Sequence, residues 1–126
     1  MMKNAVVEGC TLELSSGSGM IQINTNPSTK GSVQGKEIYK GTMNISVSGF
    51  TSTNVPSWIP GSGSGNGVII GSATKNMLEN QPIIKEEDSC TITINGQKQT
   101  GTNTSPATDV ITVKITNAGQ SVMKVE

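Results

Sequence analysis

The amino-acid sequence predicts an all-β domain with internal pseudo-symmetry, formed by residues 1–126 as one unit. Val and Ile together number 23, whereas Leu and Ala together number 7, and branched β-carbons favour strands over helices. No window keeps apolar residues at helical spacing for three turns. Residues 29–49 also resemble residues 74–96, which indicates a structural unit that is used more than once.

The two copies of this repeat match in their polar beginnings and in their strands. Two copies are too few for an open solenoid, which needs about three or more, so the repeat is expected to shape a closed object. The aligned segments are Thr29-Lys30 with Thr74-Lys75, Val33 with Leu78, Ile38-Tyr39-Lys40 with Ile83-Ile84-Lys85 and, after a two-residue insertion, 45–49 with 92–96.

The first quarter of the chain is predicted to contain two strands. The first covers residues 5–14, where Gly9 marks a bulge or a close approach of two backbones. The second covers residues 20–23, which alternate with period two as a half-buried strand does. Residues 26–28, Asn-Pro-Ser, end it.

The first copy of the repeat is predicted to begin with two short strand pieces, at 32–33 and 37–40. They flank Gln34-Gly35, a turn sequence. The next strand, at 42–48, alternates apolar and polar residues and so has one buried face.

A stretch rich in proline and glycine, residues 50–67, separates the two copies. Val55, Trp58 and Ile59 in its first half are expected to contact the core. The run 61–67, Gly-Ser-Gly-Ser-Gly-Asn-Gly, is predicted to be a flexible loop. An extended segment whose backbone lies close to its neighbours is the alternative.

The second copy is predicted to run from 68 to 96. Residues 97–108 are expected to form a polar hairpin loop, residues 110–115 the last long strand and residues 121–125 a short strand.

The charge composition excludes several classes of partner. Nine Lys balance nine acidic residues, and the chain contains no Arg and no His. A neutral chain without Arg is poorly suited to phosphate backbones or base edges, so we expect no nucleic-acid partner. No apolar run approaches the roughly 20 residues that span a bilayer, and residues 1–8 lack the apolar stretch of a signal peptide.

No group of residues points to catalysis, so the protein is predicted not to be an enzyme and to have no catalytic residues. Activation of a Ser or Cys nucleophile needs a nearby base, usually His. The glycine-rich run lacks the Lys-Ser or Lys-Thr that follows a phosphate-binding loop. We therefore expect no bound organic cofactor.

Two groups of residues are candidate metal ligands. The acidic cluster Glu86-Glu87-Asp88 lacks the ligand spacing of a calcium loop, which favours a solvated turn. Cys10 and Cys90 each begin a similar stretch, Cys-Thr-Leu-Glu-Leu and Cys-Thr-Ile-Thr-Ile. They are weak candidates for a structural zinc or iron ion, because tetrahedral zinc needs about four donors. Buried free thiols are the favoured alternative, and a disulfide is the third.

The motifs in and after the first copy resemble those of PAAR-like spike-tip proteins of contractile injection systems. Residues 33–49, followed by residues 73–89, resemble these proteins, whose pattern is a short strand, a Gly-Lys-Pro-Val-like turn and then a Gly-Asp-Ser-like loop. Asn80-Gln81-Pro82-Ile83 and Glu87-Asp88-Ser89 are similar to its second phrase, which ends in a Gly-Asp-Ser-like loop. The resemblance covers most of the chain, from about Val6 to the last long strand.

The resemblance implies a small cone-like fold with internal pseudo-threefold character, which caps a homotrimeric β-helical spike with one tip per trimer. Such a tip is made in the bacterial cytoplasm, assembled on a type VI secretion or phage-tail-like particle, and delivered to the target cell on contraction. It contacts the target membrane only transiently, and docked effector cargo is a further partner that the family allows. Many members bind a metal near the apex through His and Cys, a site that cannot be intact here without His.

The alternative function from another class is a binding module, such as an immunoglobulin-like phage-tail or adhesin domain. A fold of two packed sheets without a threefold axis would favour that alternative.

Overall fold

The structure is a computed structural model that describes residues 2–126. The described chain contains twelve strands and no helix, which confirms the predicted all-β class. In chain order the strands are β1 (Lys3–Asn4), β2 (Thr11–Leu14), β3 (Ser18–Ile23), β4 (Ser32–Val33), β5 (Lys36–Glu37), β6 (Thr42–Thr51), β7 (Gly63–Ile70), β8 (Met77–Leu78), β9 (Gln81–Pro82), β10 (Ser89–Thr100), β11 (Asn103–Asn117) and β12 (Lys124–Val125).

Six of these strands form a barrel-like antiparallel sheet in the order β2-β11-β10-β7-β6-β3. Its two edge strands, β2 and β3, are consecutive in the chain and are joined by residues 15–17 alone. This short connection holds the two edges side by side, so the sheet curls into a nearly closed barrel.

The other six strands form three two-stranded pairs, β4–β5, β8–β9 and β1–β12. The first two are hairpins, and we call all three hairpins because they hold equivalent places between barrel strands. The third hairpin joins distant parts of the sequence, with Lys3 opposite Val125 and Asn4 opposite Lys124. A unit of barrel strand, hairpin and barrel strand therefore occurs three times. The sequence analysis found two of these units and missed the third, which is divided between the two ends of the described chain.

A ring of three backbone hydrogen bonds marks the axis that relates the units. The N–H of Val6 donates to the carbonyl of Ile84 at 2.9 Å, Ile84 donates to Tyr39 at 3.2 Å, and Tyr39 donates back to Val6 at 3.0 Å. Each unit thus contributes one donor and one acceptor to a closed cycle. Such a cycle is the pattern that an approximate threefold axis through its centre produces.

Neighbouring backbone groups repeat the same threefold pattern. They form two further sets of three hydrogen bonds, in which each unit again donates to a different unit or to its own hairpin. The first set joins Glu8 to Glu37, Gly41 to Pro82 and Glu86 to Asn4; the second joins Ala5 to Met123, Ile38 to Gly31 and Ile83 to Asn76.

The ring separates two apolar cores. Val6, Tyr39 and Ile84 face the barrel core, whereas the residue before each of them faces a second cluster among the hairpins, as expected from the alternation of side chains along an extended segment. We call the second cluster the hairpin core. It consists of Ala5, Val7, Val33, Ile38, Ala73, Ile83 and Val125, with Leu78 and Met123 packed against it.

Residues 63–67 form part of β7 rather than the predicted flexible loop. Ile69 is buried, but the other three inward-facing residues of this strand are glycines. A Cβ on Gly63, Gly65 or Gly67 would lie within 2.9 Å of the Ile92 or Ile94 side chain. These isoleucines on β10 fill the space that side chains of β7 would otherwise take. The alternative prediction, an extended segment close to its neighbours, describes what the structure shows.

Two other predicted boundaries are wrong. Residues 97–108 are not a polar loop, because β10 and β11 remain paired up to Thr100 and Asn103, and only Gly101-Thr102 turns. The expected first strand, 5–14, is interrupted at Gly9, which has a φ of 85°. The pairing of β10 and β11 across residues 97–108 could not be predicted from hydrophobic pattern, since a two-stranded ribbon outside the core needs no apolar residues.

Trp58 contacts the core as predicted. Its side chain is buried, packs edge-on against Phe50 at a centroid distance of 5.9 Å and donates from the indole N–H to the Phe50 carbonyl at 3.0 Å. Val55 packs partly buried against the same cluster. The segment between β6 and β7 is thereby held over the end of the barrel.

We expect Gly65→Ala to destabilise the protein by about 1–3 kcal/mol. The added methyl would lie 2.8 Å from the Thr93 carbonyl oxygen, a backbone atom that cannot move aside. This cost should outweigh the smaller gain from restricting the unfolded chain, about 0.4–1 kcal/mol. Urea unfolding measures the change, and Ser64→Ala on the exposed face of β7 is the control, expected within about 0.5 kcal/mol of wild type. Equal stability of both variants would contradict the packing described.

We also expect the amides of Val6, Tyr39 and Ile84 to exchange with solvent only through global unfolding. They lie outside the longer strands, but the ring connects all three units, so none can open alone. Hydrogen exchange followed by NMR should show protection of at least about a thousandfold, as global stability implies. The Gly101 amide in the exposed turn is the fast-exchanging reference. Fast exchange at any one ring position would show that the ring opens locally.

Candidate functional site

The two ends of the barrel differ in symmetry. The three hairpins and their core lie beyond the hydrogen-bonded ring, and we call this part the hairpin end. At the other end, β10 and β11 continue as a two-stranded ribbon to the turn at Gly101-Thr102, and we call this part the ribbon end. The hairpin end repeats three times, whereas the ribbon end has one long ribbon and two unequal connections.

Two of the hairpins have the same tight turn. Gln34-Gly35 and Glu79-Asn80 both have two central residues with positive φ, between 53° and 78°. This conformation matches the twist of two-residue β-hairpins.

The hairpin β8–β9 and the segment before it contact both neighbouring units. Ser28 donates to Glu79 at 2.7 Å, and Lys40 forms an ion pair with the same carboxylate at 3.0 Å. These two partners, the hydroxyl first, lower the pKa of Glu79. Lys75 pairs with Glu126 at 3.0 Å. The three hairpins therefore form one connected surface.

Most charged residues lie at the hairpin end. Seven of the nine Lys and seven of the nine acidic residues belong to the hairpins and to the segments beside them, whereas Lys98 is the one charged residue between 97 and 108. Charges of both signs on a repeating surface favour a partner whose charges are complementary and whose surface has the same symmetry. The residues concerned are Lys3, Lys30, Lys36, Lys40, Lys75, Lys85 and Lys124, and Glu8, Glu37, Glu79, Glu86, Glu87, Asp88 and Glu126.

The predicted metal ligands, Cys10 and Cys90, lie just before β2 and within β10. Both are free thiols that pack half-buried against the barrel core. Burial raises the pKa of Cys10 to about 11 and also raises the pKa of Cys90. Since the thiolate is the metal-binding species, burial opposes ligation here. Residues 2–126 contain no group of three or more His, Cys, Asp or Glu side chains placed to share a metal ion.

The acidic cluster is part of the framework of the hairpin end. Glu86 accepts from the backbone N–H of Ala118 at 3.0 Å, and Glu87 pairs with Lys3 at 2.6 Å. The hydrogen bond that Glu87 accepts from Lys3, and then the charge of Lys3, lower the pKa of Glu87. Asp88 accepts from the backbone N–H of Lys85 at 2.9 Å. The three carboxylates thus bind different groups of the protein rather than one shared ligand.

Sequence reasoning missed the third unit, although one signal for it was present. Cys10-Thr11-Leu12 matches Cys90-Thr91-Ile92, and β2 and β10 hold equivalent places in the barrel. Before β2, the triplet Ala5-Val6-Val7 corresponds to Ile38-Tyr39-Lys40. Three apolar residues in a row form too short a pattern to be aligned without the hydrogen-bonded ring.

No protein-family model, curated protein or solved structure matches this chain. Residues 2–126 contain no helix long and apolar enough to cross a membrane. Symmetry and surface chemistry are therefore the observations that bear on function.

We expect Cys10 to react slowly with iodoacetamide. At pH 8, a pKa of about 11 in place of 9.0 lowers the thiolate fraction about a hundredfold. A Cys90→Ser variant isolates this thiol, and the urea-unfolded chain gives the reference rate. Alkylation should accelerate about tenfold with each unit of pH up to about 11. A folded rate at pH 8 equal to the unfolded rate would mean that the thiol ionises as readily as in the unfolded chain, and would remove this argument against a metal site.

Proposed function

We propose that this protein is a non-enzymatic structural tip that caps the homotrimeric β-helical spike of a contractile injection apparatus. The ring formed by Val6, Tyr39 and Ile84 is the observation that carries the proposal. It supports a threefold axis within a single polypeptide, and the resemblance of the motifs to PAAR-like proteins points to the same class.

A threefold axis suits a monomer that binds the end of a trimer. A homotrimer presents the same surface three times around its axis. A single chain can contact all three copies equivalently only if its own surface also repeats three times. The three hairpins provide this repetition, so we assign the hairpin end to the spike.

The opposite end suits a projecting point. Three connections close the barrel there, and they differ in length: residues 15–17, residues 52–62 and Gly101-Thr102. Only the ribbon of β10 and β11 extends far, which breaks the symmetry on the side away from the trimer. One repeating end and one non-repeating end are the two features that a cap on a trimeric spike requires.

The immunoglobulin-like alternative receives less support. It requires two sheets packed face to face, whereas this chain has one curled sheet around a threefold axis. No observation favours an adhesin over a cap.

The test is co-expression with the trimeric β-helical spike protein of the same genome, followed by native mass spectrometry. We expect one copy of this chain per three spike chains. Lys30→Glu combined with Lys124→Glu at the hairpin end should weaken binding at least about tenfold by reversing two exposed charges. Lys98→Glu combined with Gln97→Glu and Gln99→Glu on the ribbon makes the same change in net charge away from the hairpins, and this control should bind like wild type. A one-to-one ratio of chains, or equal effects of the two sets of substitutions, would refute the proposal.

A further inference from the structure

One edge of the ribbon has no partner strand. β11 has fifteen residues and β2 only four, and pairing between them begins at Val113 and Leu14. At Ser15 the chain turns away towards β3. The part of β11 before Thr112 therefore has β10 on one side and no strand of the described chain on the other.

The free edge presents a regular row of backbone groups. Ser15 donates from its N–H to the Thr112 carbonyl at 2.8 Å and accepts from the Thr112 N–H at 2.9 Å, so Thr112 points its backbone away from β10. Backbone direction alternates along a strand. Thr104, Thr108 and Val110 consequently direct N–H and C=O groups to the same open side, and Pro106 directs a carbonyl alone.

The opposite edge of the ribbon, along β10, has a partner segment, so only the β11 edge is open. There, the N–H of Ile59 donates to the Gln97 carbonyl at 2.9 Å, and Gln99 donates to Ser57 at 2.9 Å. Residues 57–59 thus act as a short third strand beside β10. Among residues 2–126, no equivalent segment lies beside β11 before Thr112.

The side chains along the free edge suit an added strand. Thr104, Thr108 and Val110 are exposed and uncharged, and Val110 is 60% exposed. Natural edge strands are commonly protected by charged side chains, which are absent from these positions. A groove of about 320 Å³ beside Leu14 and Thr112 continues the line of the edge over the outer face of β2 and β11.

We propose that this edge, residues 104–110 of β11, binds an uncharged extended peptide from a partner protein by strand addition. The peptide runs antiparallel to β11, in the line that β2 would follow if it continued beyond Leu14. Alternate β-branched residues on the peptide pack against Thr104, Thr108 and Val110, as cross-strand pairs do. This inference does not depend on the proposed attachment to a spike.

Pro106 favours a foreign peptide over a second copy of this chain. Proline has no N–H, so each Pro106 leaves one carbonyl of the added strand without a donor. Pairing of two copies through this edge would include two such defects, whereas binding of a peptide includes one. Proline at the edge thus discourages self-association while the donors of Thr104, Thr108 and Val110 remain available.

The test uses a synthetic ten-residue peptide of alternating Thr and Val, with one terminal Lys for solubility, added to the ¹⁵N-labelled full chain. In the free protein, the amides of Thr104, Thr108 and Val110 should exchange quickly while those of Ser105, Ala107 and Asp109 are protected by β10. Addition of the peptide should slow exchange at the first three. Thr108→Pro removes one edge donor without removing a β10 bond and should raise the Kd about five- to tenfold. Thr108→Ala keeps the donor and loses only a cross-strand side-chain contact, so its Kd should rise less than that of Thr108→Pro.

Several results would overturn the inference. These are protection of the three amides before peptide is added, absence of any change on addition, and equal binding by Thr108→Pro and Thr108→Ala. A concentration-dependent dimer whose formation protects the same amides would assign the edge to self-association and would likewise overturn it.

Discussion

The ring of three backbone hydrogen bonds among Val6, Tyr39 and Ile84 is the constraint on which the rest of the structure depends. It holds three extended segments around one axis, and extended segments alternate their side chains. Each segment must therefore supply one residue to the barrel core and its neighbour to the hairpin core. The ring thus couples two small cores that would each be marginal alone, since a short chain buries a limited share of its surface.

Packing inside the barrel breaks the symmetry that the ring imposes on the backbone. On β7 three of the four inward positions are glycines, Gly63, Gly65 and Gly67, whereas β10 supplies Ile92 and Ile94 to the same space. Close packing leaves no room for side chains from both strands. The unequal distribution of volume also accommodates Trp58, whose ring lies 2.8 Å from the position that a Gly63 Cβ would take. Backbone symmetry and side-chain asymmetry are therefore compatible in one domain.

The two ends of the molecule offer different recognition chemistry. Charged side chains and their ion pairs dominate the hairpin end, where Lys75 pairs with Glu126 and Lys3 with Glu87. At the ribbon end the charges are few, and backbone groups along β11 are the distinctive feature. Side-chain charges favour orientation on a matching surface, whereas an open strand edge accepts any chain of suitable shape. A protein with both features has the means to connect one defined neighbour to a variable one.

The sequence by itself determined the all-β class, because β-branched residues and period-two alternation are local properties, as residues 42–48 and the turn at Gln34-Gly35 illustrate. It also indicated that one unit is repeated. Only the tertiary structure decided that residues 63–67 form a strand. Glycine has little intrinsic preference for strand conformation, and these residues are extended because they pack against Ile92 and Ile94. The third unit was likewise decided by the fold. Asn4 and Lys124 are paired across almost the whole chain, and a contact between distant residues leaves no periodic pattern in the sequence.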